Sequence, residues 1–267
     1  MEHGLACSFA SEAAGGLADR VEEAAAAAEA AGLSSWWSLG EREVVADRSF
    51  DPVLGLQCVA RATSRLRIGL SGELLAVQPA AVRAKQIASL DFFGGGRVEL
   101  GLDLADPPPE LVDPEHDDAD HLGRALERLD AMSALWTMPR AAHAGERFAF
   151  HGASALPRPV GGRVPTVHLR GASAEVLRRY VSVIGTPAGR LAWRETPDEL
   201  AAGQALVTDV LGAAADDVRH TWFVDPDALD GARRAVAGGD VRVDELVVVL
   251  DHVPSTDEVA ALAPVTA

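Results

Sequence analysis

The sequence predicts an α/β protein, a (β/α)8 barrel, and three observations predict it. Eight short apolar runs recur along the chain, most of them followed by a stretch of helical periodicity, which is the pattern of alternating βα units. The length of 267 residues suits such a barrel built as one unit. One segment, Arg65 to Asp106, spells a complete strand–helix–strand crossover. Its two strands run parallel and end at the same edge of a sheet, where parallel α/β proteins place their chemistry. The expectation is a single domain over residues 1–267, with a loop insertion near 105–120. A doubly wound sheet is the alternative.

Each element has its own local reason. Residues 4–9 are an apolar strand, and an alanine-rich helix over 17–31 ends at Gly32, a residue suited to a helix C-terminus. A strand over 34–39 carries Trp36 and Trp37, and a helix from Asp51-Pro52 to Thr63 follows a polar loop. Leu66, Ile68 and Leu70 alternate as the third strand, over 66–71. Pro79 then starts a helix on which Ala80, Ala81, Ala84, Ile87 and Ala88 share a face. Gly94-Gly95-Gly96 stops it, and residues 97–104 form the fourth strand.

Beyond that strand, 106–120 is rich in proline and acid, a long loop of the kind that serves as a lid. Helical spacing resumes over 121–138, followed by a small edge strand at Phe148 to Phe150 and a fifth strand over 164–169. Gly171-Ala172-Ser173 opens a helix over 174–180, 181–185 reads as the sixth strand, and 186–195 as irregular. Thr196-Pro197 with Glu199 spells a capping box for a helix to about residue 214. A strand over 220–224, a helix over 226–237, a strand over 245–250 and a helix capped by Ser255 complete the count.

Composition excludes several function classes. A net charge of −16 leaves no basic stripe to displace counterions from nucleic acid. No basic leader or bilayer-spanning apolar run is present, so a cytoplasmic protein with no membrane partner is expected. Cys7 and Cys58 lack metal-ligand spacing and read as reduced thiols, and no metal is expected.

Several stretches together resemble the bacterial-luciferase-like family of flavin- and F420-dependent oxidoreductases. They are ARATSRLRIGLSGELLAVQPAAVRAKQIASLDFFGGGRVELGL (60–102), LERLDAMSALWTMPR (126–140) before GERFAFHG (145–152), and LPRPVGGRVPTVHLRGASAEVLRR (156–179). The resemblance implies a luciferase-like TIM barrel carrying F420 or FMN, as reduced flavin, across the C-terminal ends of its strands. It also implies a small-molecule substrate beneath the 106–120 loop, and a homodimer or a heterodimer with a related subunit.

Site residues follow the same resemblance. Ser71, Gly72 and Glu73 match the turn that supports the cofactor ring in the family, often through an unusual cis peptide. Gly171, Ala172 and Ser173 match the phosphate-binding turn, which suits an anion because free N–H groups and a hydroxyl meet at a helix N-terminus. Glu41 stands where flavin-using relatives often carry histidine, and Asp103 ends the fourth strand; these two are the candidate catalytic acids or bases. His168, in mid-strand, reads as a core histidine. The alternative is a family member without redox activity and without a cofactor, serving as a partner subunit or using the barrel mouth for another ligand.

Overall fold

The computed structural model describes residues 1–10, 15–43, 50–112 and 120–263. Its strands are β1 (Glu2–Cys7), β2 (Ser35–Ser38), β3 (Arg67–Glu73), β4 (Val98–Asp103), β5 (Ala141–Ala144), β6 (Ala149–Ala153), β7 (Thr166–Arg170), β8 (Gly189–Trp193), β9 (Arg219–Val224) and β10 (Glu245–Leu250). The helices are α1 (Leu17–Ala30), α2 (Pro52–Ala62), α3 (Ala80–Phe93), α4 (His121–Thr137), α5 (Ala174–Val183), α6 (Pro197–Leu211), α7 (Leu229–Gly238) and α8 (Thr256–Leu262). Eight strands close a barrel in the order β1-β10-β9-β8-β7-β4-β3-β2, every pairing parallel, and β5 and β6 form a separate antiparallel hairpin.

One element departs from the sequence reading. Residues 181–183 belong to α5, and the sixth barrel strand is β8, inside the stretch read as irregular. Val181 and Val183 are β-branched, but they continue the helix begun at Ser173, whose hydroxyl accepts the Val176 N–H. β8 spells Gly-Arg-Leu-Ala-Trp, with no β-branched residue to mark it. Within the expected insertion, residues 109–111 form one 3₁₀ turn, and 113–119 lie outside the described residues.

Alternation along the strands sorts side chains into an inner and an outer set. The outer set packs on the helices: Leu5, Ile68, Leu70, Leu100 and Leu169 meet Val21, Leu56, Ile87, Leu129 and Leu177. The inner set stacks in layers. In the middle, Trp37 and Phe223 meet edge to face with ring centroids 5.5 Å apart, beside Ala6, Leu191 and Val247. Gly69 makes room for them, since a Cβ there would lie 1.9 Å from the Trp37 ring.

The floor of the barrel is ionic. Glu245, fully buried, accepts hydrogen bonds from Arg67 Nη2 and Ser35 Oγ, each at 2.6 Å, and from Arg219 Nη2 at 3.1 Å. Arg67 also reaches Glu2 at 2.8 Å and Glu99 at 3.1 Å. His168 Nε2 sits 3.1 Å from Glu99, so this histidine belongs to the buried interior and faces the floor network. Among the described residues no helix is long and apolar enough to cross a membrane, and no cluster of His, Cys, Asp or Glu could hold a metal ion.

Candidate active site

At the C-terminal end of the barrel the inner set is polar. Alternation places Ser71, Asp103, Arg170 and Trp193 in its top layer. β3 gains one residue against β4 here, because Leu70 pairs with Leu100 but Glu73 pairs with Leu102. Such a bulge bends a strand and re-aims its side chains, a device common beside active sites. The cis peptide among the described residues is Leu156–Pro157, so the expected cis bond at Ser71 to Glu73 gives way to this bulge. Ser71 is fully buried, and its hydroxyl has no hydrogen-bond partner among the described residues.

Over Gly72 lies the Arg170 guanidinium. A Cβ at Gly72 or at Gly40 would stand 2.6 Å from Arg170 Nη1, so two bare glycines make space for it. Arg170 stacks on the Trp193 ring at 4.1 Å and donates both terminal nitrogens to Glu43, Nη1 to Oε2 at 2.9 Å and Nη2 to Oε1 at 2.5 Å. Asp103 accepts from Arg42 Nε and from the Ala105 N–H, each at 3.1 Å.

Beside the mouth a cleft of about 500 Å³ runs from Leu104–Asp106 to the start of α5. Gly171, Ala172 and Ser173 line it together with Arg170 and Arg179. Gly171 has φ +57°, which turns the chain from β7 into the helix. Ser173 Oγ accepts the Val176 N–H at 3.3 Å, while the hydroxyl hydrogen remains available to a ligand. Across the cleft Asp120 is clamped by Arg179 at 2.8 and 2.7 Å, and this pairing holds its carboxyl well below the usual carboxylate range. Mouth and cleft therefore meet at Arg170. The polar ends of a flavin-type group fit this donor set: an unpartnered hydroxyl and bare backbone at the ring side, helix N–H groups and a hydroxyl at the phosphate side.

The model of the luciferase-like monooxygenase family matches residues 1–220 of the sequence. The chain belongs to this family. Uncharacterized proteins of Mycobacterium tuberculosis and Mycobacterium bovis are 33% identical over 120 residues, which is 45% of this chain and 43% of each relative. The chain thus spans less than half the length of these curated relatives.

Among solved structures, the monooxygenase RslO1 of Streptomyces bottropensis superposes with a TM-score of 0.71 at 17% identity, covering 98% of this chain and 96% of that one. The coenzyme F420 dependent tetrahydromethanopterin reductase of Methanopyrus kandleri gives 0.70 at 14% identity with the same coverage. The oxygenating constituent of 3,6-diketocamphane monooxygenase of Pseudomonas putida, solved with FMN, gives 0.66 at 19% identity, over 89% and 71% of the two chains. These three carry the luciferase-like barrel fold.

In this luciferase-like chain the candidate residues divide among three places. Ser71 and Gly72 join Asp103 in the mouth, and Gly171, Ala172 and Ser173 form the cleft. Glu41 answers to other partners. Its carboxylate accepts the Leu74 N–H at 2.7 Å and the Gln78 amide at 2.5 Å, behind the end of β3. Arg83 stands 3.8 Å away, and it forms a two-pronged pair with Glu73. Burial, and then the neighbouring Glu73 charge, push the Glu41 carboxyl up to about 7.

That shift makes stability depend on pH. With a folded pKa above the ordinary 4.5, Glu41 contributes fully below pH 4.5 and loses the contribution as pH rises through about 7. At about 1.4 kcal/mol per unit, the full loss is about 3–4 kcal/mol. Glu41→Gln is expected to remove that fall, measured as the urea midpoint at pH 5 and pH 8; a parent and variant with the same pH slope would contradict it.

The sequence reading did not single out Glu43, Gly40 or Trp193. The signal available was spacing: Arg170 lies two residues beyond inward-facing His168, and Trp193 two beyond Leu191, so each shares its predecessor's face.

Proposed function

We propose that this chain is an oxidoreductase that holds F420 or reduced FMN across the C-terminal mouth of its barrel and acts on a small organic molecule. The observation that carries this reading is the cleft at Gly171 to Ser173, which opens onto the polar top layer at Arg170. When bound, the cofactor supplies hydride transfer or, for reduced flavin, oxygen activation. The chain's own residues bind and orient. The α5 N–H groups and the Ser173 hydroxyl take a phosphate, Ser71 offers its unpartnered hydroxyl to the ring edge, and Gly72 lets a flat group approach the backbone. Asp103, held by Arg42, is the acid or base in the mouth, and Glu41 holds the connection behind β3 through Leu74 and Gln78.

Fluorescence titration of the purified protein with FMN, reduced FMN and F420 tests the reading. Binding in the micromolar range is expected, and no binding by any of them at high micromolar concentration would overturn it. Ser173→Asp adds a negative charge at the phosphate turn and is expected to weaken binding by at least about tenfold, equivalent to about 1.4 kcal/mol. Unchanged affinity would remove the phosphate from this turn.

A second reading, a family member without redox chemistry, draws on one observation: the Arg170–Glu43 pair covers Gly72. Failure of all three titrations would select it. Under either reading a homodimer, or a heterodimer with a related subunit, fits the apolar side chains left exposed on α2 and α3, Leu54, Val82, Phe92 and Phe93. Sedimentation of a monomer alone at micromolar protein would refute the homodimer.

A further inference from the structure

We infer that Arg170 and Glu43 form a latch on the ring seat: the Arg170 guanidinium fills the slot that a flat ligand ring takes, and a ligand enters by displacing it. This inference rests on the reading that the mouth receives a planar ring. The slot is built for a flat group. One wall is the Trp193 indole, on which the guanidinium lies at 4.1 Å. The opposite wall is the bare backbone of Gly40 and Gly72, where a Cβ on either would come within 2.6 Å of Arg170 Nη1. A methyl group at either position would narrow the slot for a guanidinium or an aromatic ring alike.

Next to Gly72 in the chain is Ser71, whose buried hydroxyl has no partner among the described residues, a polar group that a ligand ring can satisfy. Among the described residues the ionic partner that holds the latch is Glu43, whose side chain is 17% exposed, against 9% for Arg170. Arg170 also lines the phosphate cleft, so its side chain has a polar place to go when the slot fills. A ligand bound by a minor open state shows an apparent affinity reduced by the fraction of that state, so loosening the clasp raises affinity.

Glu43→Gln keeps the size of the clasp and removes its charge. Two readouts test the latch: affinity for FMN, reduced FMN and F420 by fluorescence, and the rate at which phenylglyoxal modifies Arg170, read by peptide mass spectrometry. In Glu43→Gln, affinity is expected to rise about tenfold and Arg170 modification to accelerate by a similar factor without ligand. Equal or weaker affinity in Glu43→Gln, with an unchanged modification rate, would overturn the latch. Faster modification with no flavin binding to either protein would uphold the clasp and overturn the flavin reading instead. Trp193→Leu, which removes one wall, is expected to weaken ring binding while also speeding Arg170 modification; slower modification would count against the slot.

Discussion

Arg83→Met is expected to destabilise the protein by about 3–5 kcal/mol, because it strands buried carboxylates whose partner has been removed. Arg83 is 2% exposed on α3 and forms two hydrogen bonds with Glu73, itself 2% exposed at the end of β3. Its guanidinium is also the cation near Glu41. Methionine preserves much of the apolar stem, so the loss reports the charge and not a cavity. Urea unfolding measures it as a lowered midpoint at constant slope. Adding Glu73→Leu is expected to restore most of the stability, since replacing a whole buried ion pair by apolar groups is often neutral. A midpoint shift worth less than about 1 kcal/mol for the single variant would show that water reaches the pair.

Glu245→Ala is expected to cost a similar amount, about 3–5 kcal/mol, through a different failure. Glu245 is the fully buried carboxylate of the floor and touches both Arg67 and Arg219, as the half-exposed Glu2 also does. Without it two guanidiniums face each other with Glu2 and Glu99 as remaining partners, and Ser35 Oγ loses its acceptor. Ser35 in turn accepts from Trp37 Nε1 at 2.9 Å, so the damage reaches the middle layer. Hydrogen exchange is the informative measurement: protection is expected to fall first along β1 and β10, where Glu2 pairs with Glu245. Loss confined to the mouth would contradict the assignment of Glu245 to the floor.

The sequence made the crossover from β3 to β4 legible because every local cue agreed, from the alternation of Leu66, Ile68 and Leu70 to the triple-glycine stop. It misled at the sixth barrel strand, where cue and context conflict. Val181, Val183 and Ile184 have strand propensity but extend a capped helix, whereas Gly189 and Arg190 begin a strand that owes its place to neighbours β7 and β9. In the candidate site, the turn at Gly171 to Ser173 was legible because a helix N-terminus announces itself locally. The clasp was not. Arg170 and Glu43 lie 127 positions apart, and neither the pairing nor the bare slot between Gly40 and Gly72 has a local signature. Glu41 was legible as a residue but not in its setting, because Leu74 and Gln78 reach it only once β3 has folded against α3.

The seam between β1 and β10 also orders events on the ribosome. The first strand made waits for the last, and until Leu250 emerges both β1 and β9 keep an open hydrogen-bonding edge. At about 5–20 residues per second, the stretch from Val224 to Leu250 takes roughly one to five seconds to synthesise. For that interval the chain lacks Glu245, so Arg67 and Arg219 have Glu2 and Glu99 but not the fully buried anion of the floor. Closure of the barrel and the last buried charge of its floor thus arrive together with β10.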